Sequence, residues 1–118
     1  MSYDIHVYRK EVKEMEQLSV DRDFFEKKEN LLPFTDKQKE YLISRLLKYK
    51  YIIDREGEYG IHFKFSEDEG INVLLSDYAL YFSSTGEGIF EINMTASEFT
   101  DTGGFAKYDP QNNGWEEL

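Results

Sequence analysis

Polar and apolar positions alternate from the third residue onward. In Tyr3-Asp4-Ile5-His6-Val7-Tyr8-Arg9, Tyr3, Ile5 and Val7 share one face, and Asp4, His6 and Tyr8 share the other. A period of two marks a half-buried strand. Residues 10–32 break the pattern. They are charged, with apolar islands at Met15, Leu18, Val20 and Phe24-Phe25, and read as a long connection with one or two short helical turns. Pro33 then interrupts regular structure. Thr35-Asp36-Lys37-Gln38 has the form of a capping box: Thr35 accepts from the Gln38 amide and the Gln38 side chain reaches back. Behind it, Leu42, Ile43, Leu46 and Leu47 form one apolar stripe, which predicts a helix over residues 36–48.

A series of strands follows. Tyr51–Arg55, Ile61–Phe65, Ile71–Leu75 and Tyr78–Ser83 are separated by Glu56–Gly60, Ser66–Gly70 and Ser76-Asp77. Such short spacings predict an antiparallel meander. Residues 84–104 carry two patterns: Phe90, Ile92 and Met94 alternate as in a strand, while Ile89, Ile92, Ala96 and Phe99 fit a helical stripe. A second possible capping box at Ser84-Thr85-Gly86-Glu87 and a stop at Gly103-Gly104 favour the helix. Phe105–Tyr108 reads as a last short strand, ended by Asp109-Pro110-Gln111 and turned by Asn112-Asn113-Gly114.

The expected architecture is a single α+β domain over residues 1–118: a mainly antiparallel sheet of about six strands, with two helices packed on one face. By parity the covered face takes Tyr3, Ile5, Val7, Ile61, Phe63, Phe65, Ile71, Val73, Leu75, Tyr78, Leu80 and Phe82. The opposite face receives His6, Tyr8, His62, Lys64, Asn72, Leu74 and Tyr81. That face is mixed, and Tyr8, Leu74 and Tyr81 are the residues on it suited to a contact patch. Simple solvation, or partial cover by the 10–32 segment, would account for the same pattern.

Charge changes the picture. The 118 residues hold 14 Lys and Arg against 24 Asp and Glu, a net charge of −10. Residues 1–50 contribute 11 basic and 10 acidic side chains; residues 51–118 contribute 3 and 14. The acid therefore belongs to the second half. This balance argues against nucleic acid, whose binding needs a basic surface, and against an anionic membrane surface. It is compatible with plain solubility, or with an acidic face for a basic protein partner. The densest acidic run, Glu67-Asp68-Glu69, is the first candidate for such a face. Nineteen aromatic residues (9 Phe, 9 Tyr, 1 Trp) are enough for a real core. With no cysteine there is no disulfide and no thiolate chemistry. No apolar run approaches the roughly 20 residues of a membrane span. The start of the chain shows no secretory pattern, so the expected location is cytoplasmic.

Candidate chemistry is sparse. His6 and His62 are the two histidines, and no metalloprotease, nucleophile-elbow or phosphate-loop motif occurs. Glu67-Asp68-Glu69, Glu56/Glu58 and Glu116/Glu117 match no calcium-loop or paired-carboxylate spacing. The expectation is no metal and no cofactor.

The stretch Gly104-Phe105-Ala106-Lys107-Tyr108-Asp109-Pro110-Gln111, followed by Gly114-Trp115, resembles the ending of small acidic bacterial proteins, several of which resemble immunity proteins of polymorphic toxin systems. Those proteins also tend to begin with a strand like Tyr3-Asp4-Ile5. Together with the acidic second half and the absence of a catalytic constellation, the resemblance points to a non-enzymatic binding protein of immunity type, which would block a basic toxin through an acidic surface. The residues leave two other classes open: a self-associating adaptor, and a small enzyme with a diffuse His/Tyr/carboxylate site.

Overall fold

The computed structural model describes residues 3–101, 104–112 and 114–116. Gly103, Asn113 and Glu117, which figure in the expectations above, lie outside the described residues. The fold is α+β: a seven-stranded antiparallel sheet with three α-helices packed against it. In chain order the elements are β1 (Tyr3–Arg9), α1 (Lys10–Leu18), α2 (Asp36–Lys48), β2 (Tyr51–Gly57), β3 (Gly60–Phe65), β4 (Asp68–Leu75), β5 (Leu80–Ser84), α3 (Ile89–Thr100), β6 (Phe105–Asp109) and β7 (Gly114–Trp115). The sheet order is β2-β3-β4-β5-β1-β6-β7. The meander occupies one half, and β1 is inserted between it and the two strands from the end of the chain.

Local chemistry explains the most regular elements. Thr35 Oγ1 accepts from the Gln38 amide at 3.1 Å, and Gln38 Oε1 accepts from the Thr35 amide at 2.9 Å, so the capping box is complete. The stripe behind it buries Leu42 and Leu46 fully. Each such side chain contributes roughly 1.5–3 kcal/mol through removal from water. Helix α3 forms where two patterns competed, and buries Ile92, Ala96 and Phe99. Its start differs from expectation: Ser84 Oγ donates to the Thr85 carbonyl at 2.6 Å instead of capping, and a single 3-10 turn, Gly86–Gly88, leads into the helix.

Helices α2 and α3 cover one face of the sheet. Beneath them lie Ile5, Val7, Phe63, Ile71, Val73, Leu75, Leu80 and Phe82, with Tyr3, Ile61 and Phe65 at the margins. Strand parity assigned all of these correctly. Tyr78 is the exception. It precedes β5, in a turn closed by Ser76: Ser76 Oγ accepts from the Tyr78 and Ala79 amides at 3.2 and 3.0 Å. The turn sends Tyr78 into the cluster on the other face.

The segment after β1 departs most from expectation. It opens with a nine-residue helix, α1, and continues through two 3-10 turns, Phe24–Glu26 and Lys28–Asn30. Helix α1 buries Val12, and Met15 packs beside it in the second-face cluster, a stripe too short to stand out among the charged residues around it. Its Lys, Glu, Met, Gln and Leu are strong helix formers, which sustains it once Val12 docks. The segment folds over the second face of the sheet. Val12, Phe24 and Leu31 join Tyr8, Ala79 and Tyr108 there in a second core.

Candidate functional site

One row of side chains on the second face crosses all seven strands. The register runs Arg55, His62, Leu74, Tyr81, His6, Tyr108, Trp115. A bulge at Asp54 brings Arg55 into this row. The row passes from solvent to core. Arg55 is exposed, while His62, Leu74, Tyr81 and His6 are half-buried and Tyr108 is buried. The change follows from where the α1 segment stops. Phe25 stacks on Tyr8 at 5.1 Å between ring centroids and meets Tyr108 at 4.6 Å, and Trp115 Nε1 donates to Glu16 Oε1 at 2.8 Å. These contacts fasten the segment over β1, β6 and β7 and leave β2, β3 and β4 open on that face.

At the boundary lies a groove of about 450 Å³. Leu74 and Tyr81 from the sheet line it, with Phe25 and Leu31 from the covering segment, Tyr78 from the β4–β5 turn and Tyr59 from the β2–β3 turn. Glu26, Glu58 and Asp77 also line it, and no Lys or Arg does so among the described residues. The Ser76 hydroxyl bonds shape one turn, and the Phe34 amide donates to the Asp77 carbonyl at 2.8 Å, tying that turn to the stretch that leads into α2. The other turn needs Gly60. Its φ is +139°, and an added Cβ would overlap the Leu75 carbonyl. Tyr59, immediately before it, is 78% exposed.

The residues singled out from the sequence thus separate. Leu74 and Tyr81 come together in the groove. Tyr8 does not belong to an exposed patch: it is 2% exposed under Phe25, and it is corrected to a core residue. Burial pushes the Tyr8 hydroxyl far above its ordinary pKa, and the Tyr81 hydroxyl is raised by burial too. The acidic run lies at the other end of the sheet, as successive turns of a meander require. Its three members do not act as one loop. Glu67 sits in the turn and pairs with Lys50 at 3.2 Å; Asp68 opens β4 and accepts from the Gly70 amide at 2.8 Å; Glu69 is exposed within β4. Glu67 lines a second groove of about 400 Å³ beside α3, where Lys48 and Lys50 face Glu91 and Glu98. That mixture of signs favours no charge of partner.

His6 and His62 share the row but stand three strands apart, about 14 Å at the usual strand spacing. They cannot form a pair. His6 Nδ1 is 3.2 Å from the Tyr8 hydroxyl and its ring meets Tyr81 edge-on at 4.7 Å. Burial holds its imidazole below the ordinary pKa, with Asp4 pulling the other way. Among the described residues no three His, Asp or Glu side chains gather to hold a metal ion.

The sequence marks Phe25 only as an apolar island, Tyr78 only as a strand residue of the covered face and Glu58 only as half of a nonspecific carboxylate pair; it does not single out Leu31, Tyr59, Glu26 or Asp77. One signal was available: Tyr59 is a large aromatic placed in a turn, between Glu58 and Gly60. No protein-family model, no curated protein and no solved structure matches this chain. Among the described residues no helix is long and apolar enough to cross a membrane.

Proposed function

We propose that this chain is a non-enzymatic protein-binding module whose partner is basic, and that the partner docks across the groove at the edge of the covering segment. The single observation that carries the reading is the groove's composition: six apolar and aromatic side chains with three carboxylates, and no cation among the described residues lining it. Interface centres favour tyrosine and exclude like charge, and an acidic rim speeds the encounter with a basic surface. The resemblance of both chain ends to immunity-like proteins supports a toxin as the basic partner. Glu67, Asp68 and Glu69, at the far end of the sheet, then add to the long-range field rather than to the contact.

Binding kinetics with the product of a neighbouring gene test this reading. Association should slow with added salt, and slow further when Glu26 and Glu58 are both changed to Gln. The Glu67→Gln, Asp68→Asn, Glu69→Gln triple variant should change the rate less. An association rate indifferent to salt and to the groove acids would overturn the electrostatic reading. A mass that rises with concentration, together with loss of solvent access at Tyr59 and Leu74, would favour a self-associating adaptor instead.

A further inference from the structure

We infer that the group anchoring a partner in this groove is an arginine rather than a lysine. The inference rests on the reading above and deepens it. Three observations converge. The Tyr59 ring stands 78% exposed at the groove mouth, with the half-buried Tyr81 ring and Leu74 in the lining. A flat cation can lie against such a ring while its edge reaches carboxylates. Of the three carboxylates, Asp77 is engaged by Lys39, whereas Glu26 and Glu58 form no ion pair among the described residues. Two exposed carboxylates therefore remain to receive a cation.

The same chain shows the chemistry elsewhere. The Arg45 guanidinium lies over the Tyr41 ring at 5.8 Å and over the Tyr49 ring at 5.3 Å. Lysine is a weaker match for the groove, because its ammonium is compact and strongly hydrated and has no planar face to lay on a ring. The volume of about 450 Å³ lies within the range of roughly 300–1,000 Å³ typical of small-ligand sites, room for one long side chain and its flanking backbone.

Tetra-arginine and tetra-lysine peptides, each titrated into the whole protein and followed by NMR, separate the possibilities. Tetra-arginine should shift the Tyr59, Leu74 and Tyr81 signals, and bind about fivefold more tightly than tetra-lysine, the size of one exposed cation–aromatic contact. Tyr59→Ala, on an exposed turn, should weaken tetra-arginine binding more than tetra-lysine binding and so abolish that preference. Equal affinities with shifts at the groove would overturn the arginine anchor and leave the basic-partner reading standing. Shifts confined to the Glu67–Glu69 end would overturn both, as would no shift with either peptide. A preference unchanged in Tyr59→Ala would also overturn the inference.

Discussion

The Gln111 side chain pairs with the backbone of Asp4 as a neighbouring strand would. Its Oε1 accepts from the Asp4 amide and its Nε2 donates to the Asp4 carbonyl, both at 2.7 Å. Beside it, Asp109 accepts from the Tyr3 hydroxyl at 2.7 Å and from Asn112 Nδ2 at 2.8 Å. The Tyr3-Asp4 and Asp109-Pro110-Gln111 sequences, at opposite ends of the chain, are therefore two halves of one clasp. The Asp4 backbone and the Tyr3, Asp109 and Gln111 side chains are thereby engaged in holding β1 to the turn after β6.

Removing Gln111 tests the clasp. Gln111→Ala should destabilise the fold by about 1 kcal/mol, since the three lost side-chain bonds, two to the Asp4 backbone and one to Asp109, are at an exposed edge where water replaces them in part. Gln111→Glu should cost at least as much, because a carboxylate would then face the Asp4 carbonyl and the Asp109 carboxylate. Urea unfolding measures both. Midpoints unchanged from wild type would show that the clasp adds nothing to stability.

Asp109 gives the clasp a pH dependence. Burial raises its pKa, but the hydrogen bonds from Tyr3, Asn112 and Gln111 outweigh burial and hold it below the ordinary value of 3.8. A depressed carboxyl contributes stability that is present above the unfolded-state pKa and lost as pH falls through the folded-state value. Wild type should therefore lose stability as pH drops below about 3.8. Asp109→Asn should start less stable at neutral pH and show a shallower acid loss. Parallel acid limbs in thermal melts would contradict the assignment.

Two tyrosines on the second face should respond in opposite ways. Tyr8 is sealed under Phe25, and Tyr8→Ala should cost about 3–5 kcal/mol. Tyr59→Ala, on its exposed turn, should change stability by no more than about 0.5 kcal/mol. Chemical denaturation of the two variants decides it. A mild Tyr8→Ala would mean that the covering segment does not hold its place.

Lys50 follows α2 with φ +74°, the left-handed conformation that usually falls to glycine. It also pairs with Glu67 across an exposed gap. Comparing Lys50→Gly with Lys50→Ala cancels the lost pair. The glycine variant should be the more stable of the two by about 1 kcal/mol, the cost of a Cβ in that conformation. Equal unfolding free energies would indicate that the backbone relaxes away from the left-handed region.

Local period decided much of this molecule. Ile5 and Val7, Phe63, Val73, Phe82, and the pair Leu42 and Leu46 all lie where alternation or a helical stripe puts them. A strand buried on one face must alternate, and a helix docked by one stripe must repeat every three to four residues, so the residues themselves carry the information. The Thr35 capping box is equally local, because all its partners lie within four residues. The antiparallel order of β2 to β5 followed from short connections.

What only the tertiary structure decided is how the polar-looking segments are used. Residues 10–32 have no strong period, and their few apolar side chains gain a partner only when Phe25 meets Tyr8, Tyr108 and Trp115. That meeting turns half of an apparently open sheet face into core, makes Tyr8 a buried residue and leaves the groove at the border, where Leu74 and Tyr81 remain accessible. The Asp4–Gln111 clasp spans 107 positions. Contacts so distant leave no local signature, because nothing in the residues around Asp4 or Gln111 depends on the other until the sheet brings them together.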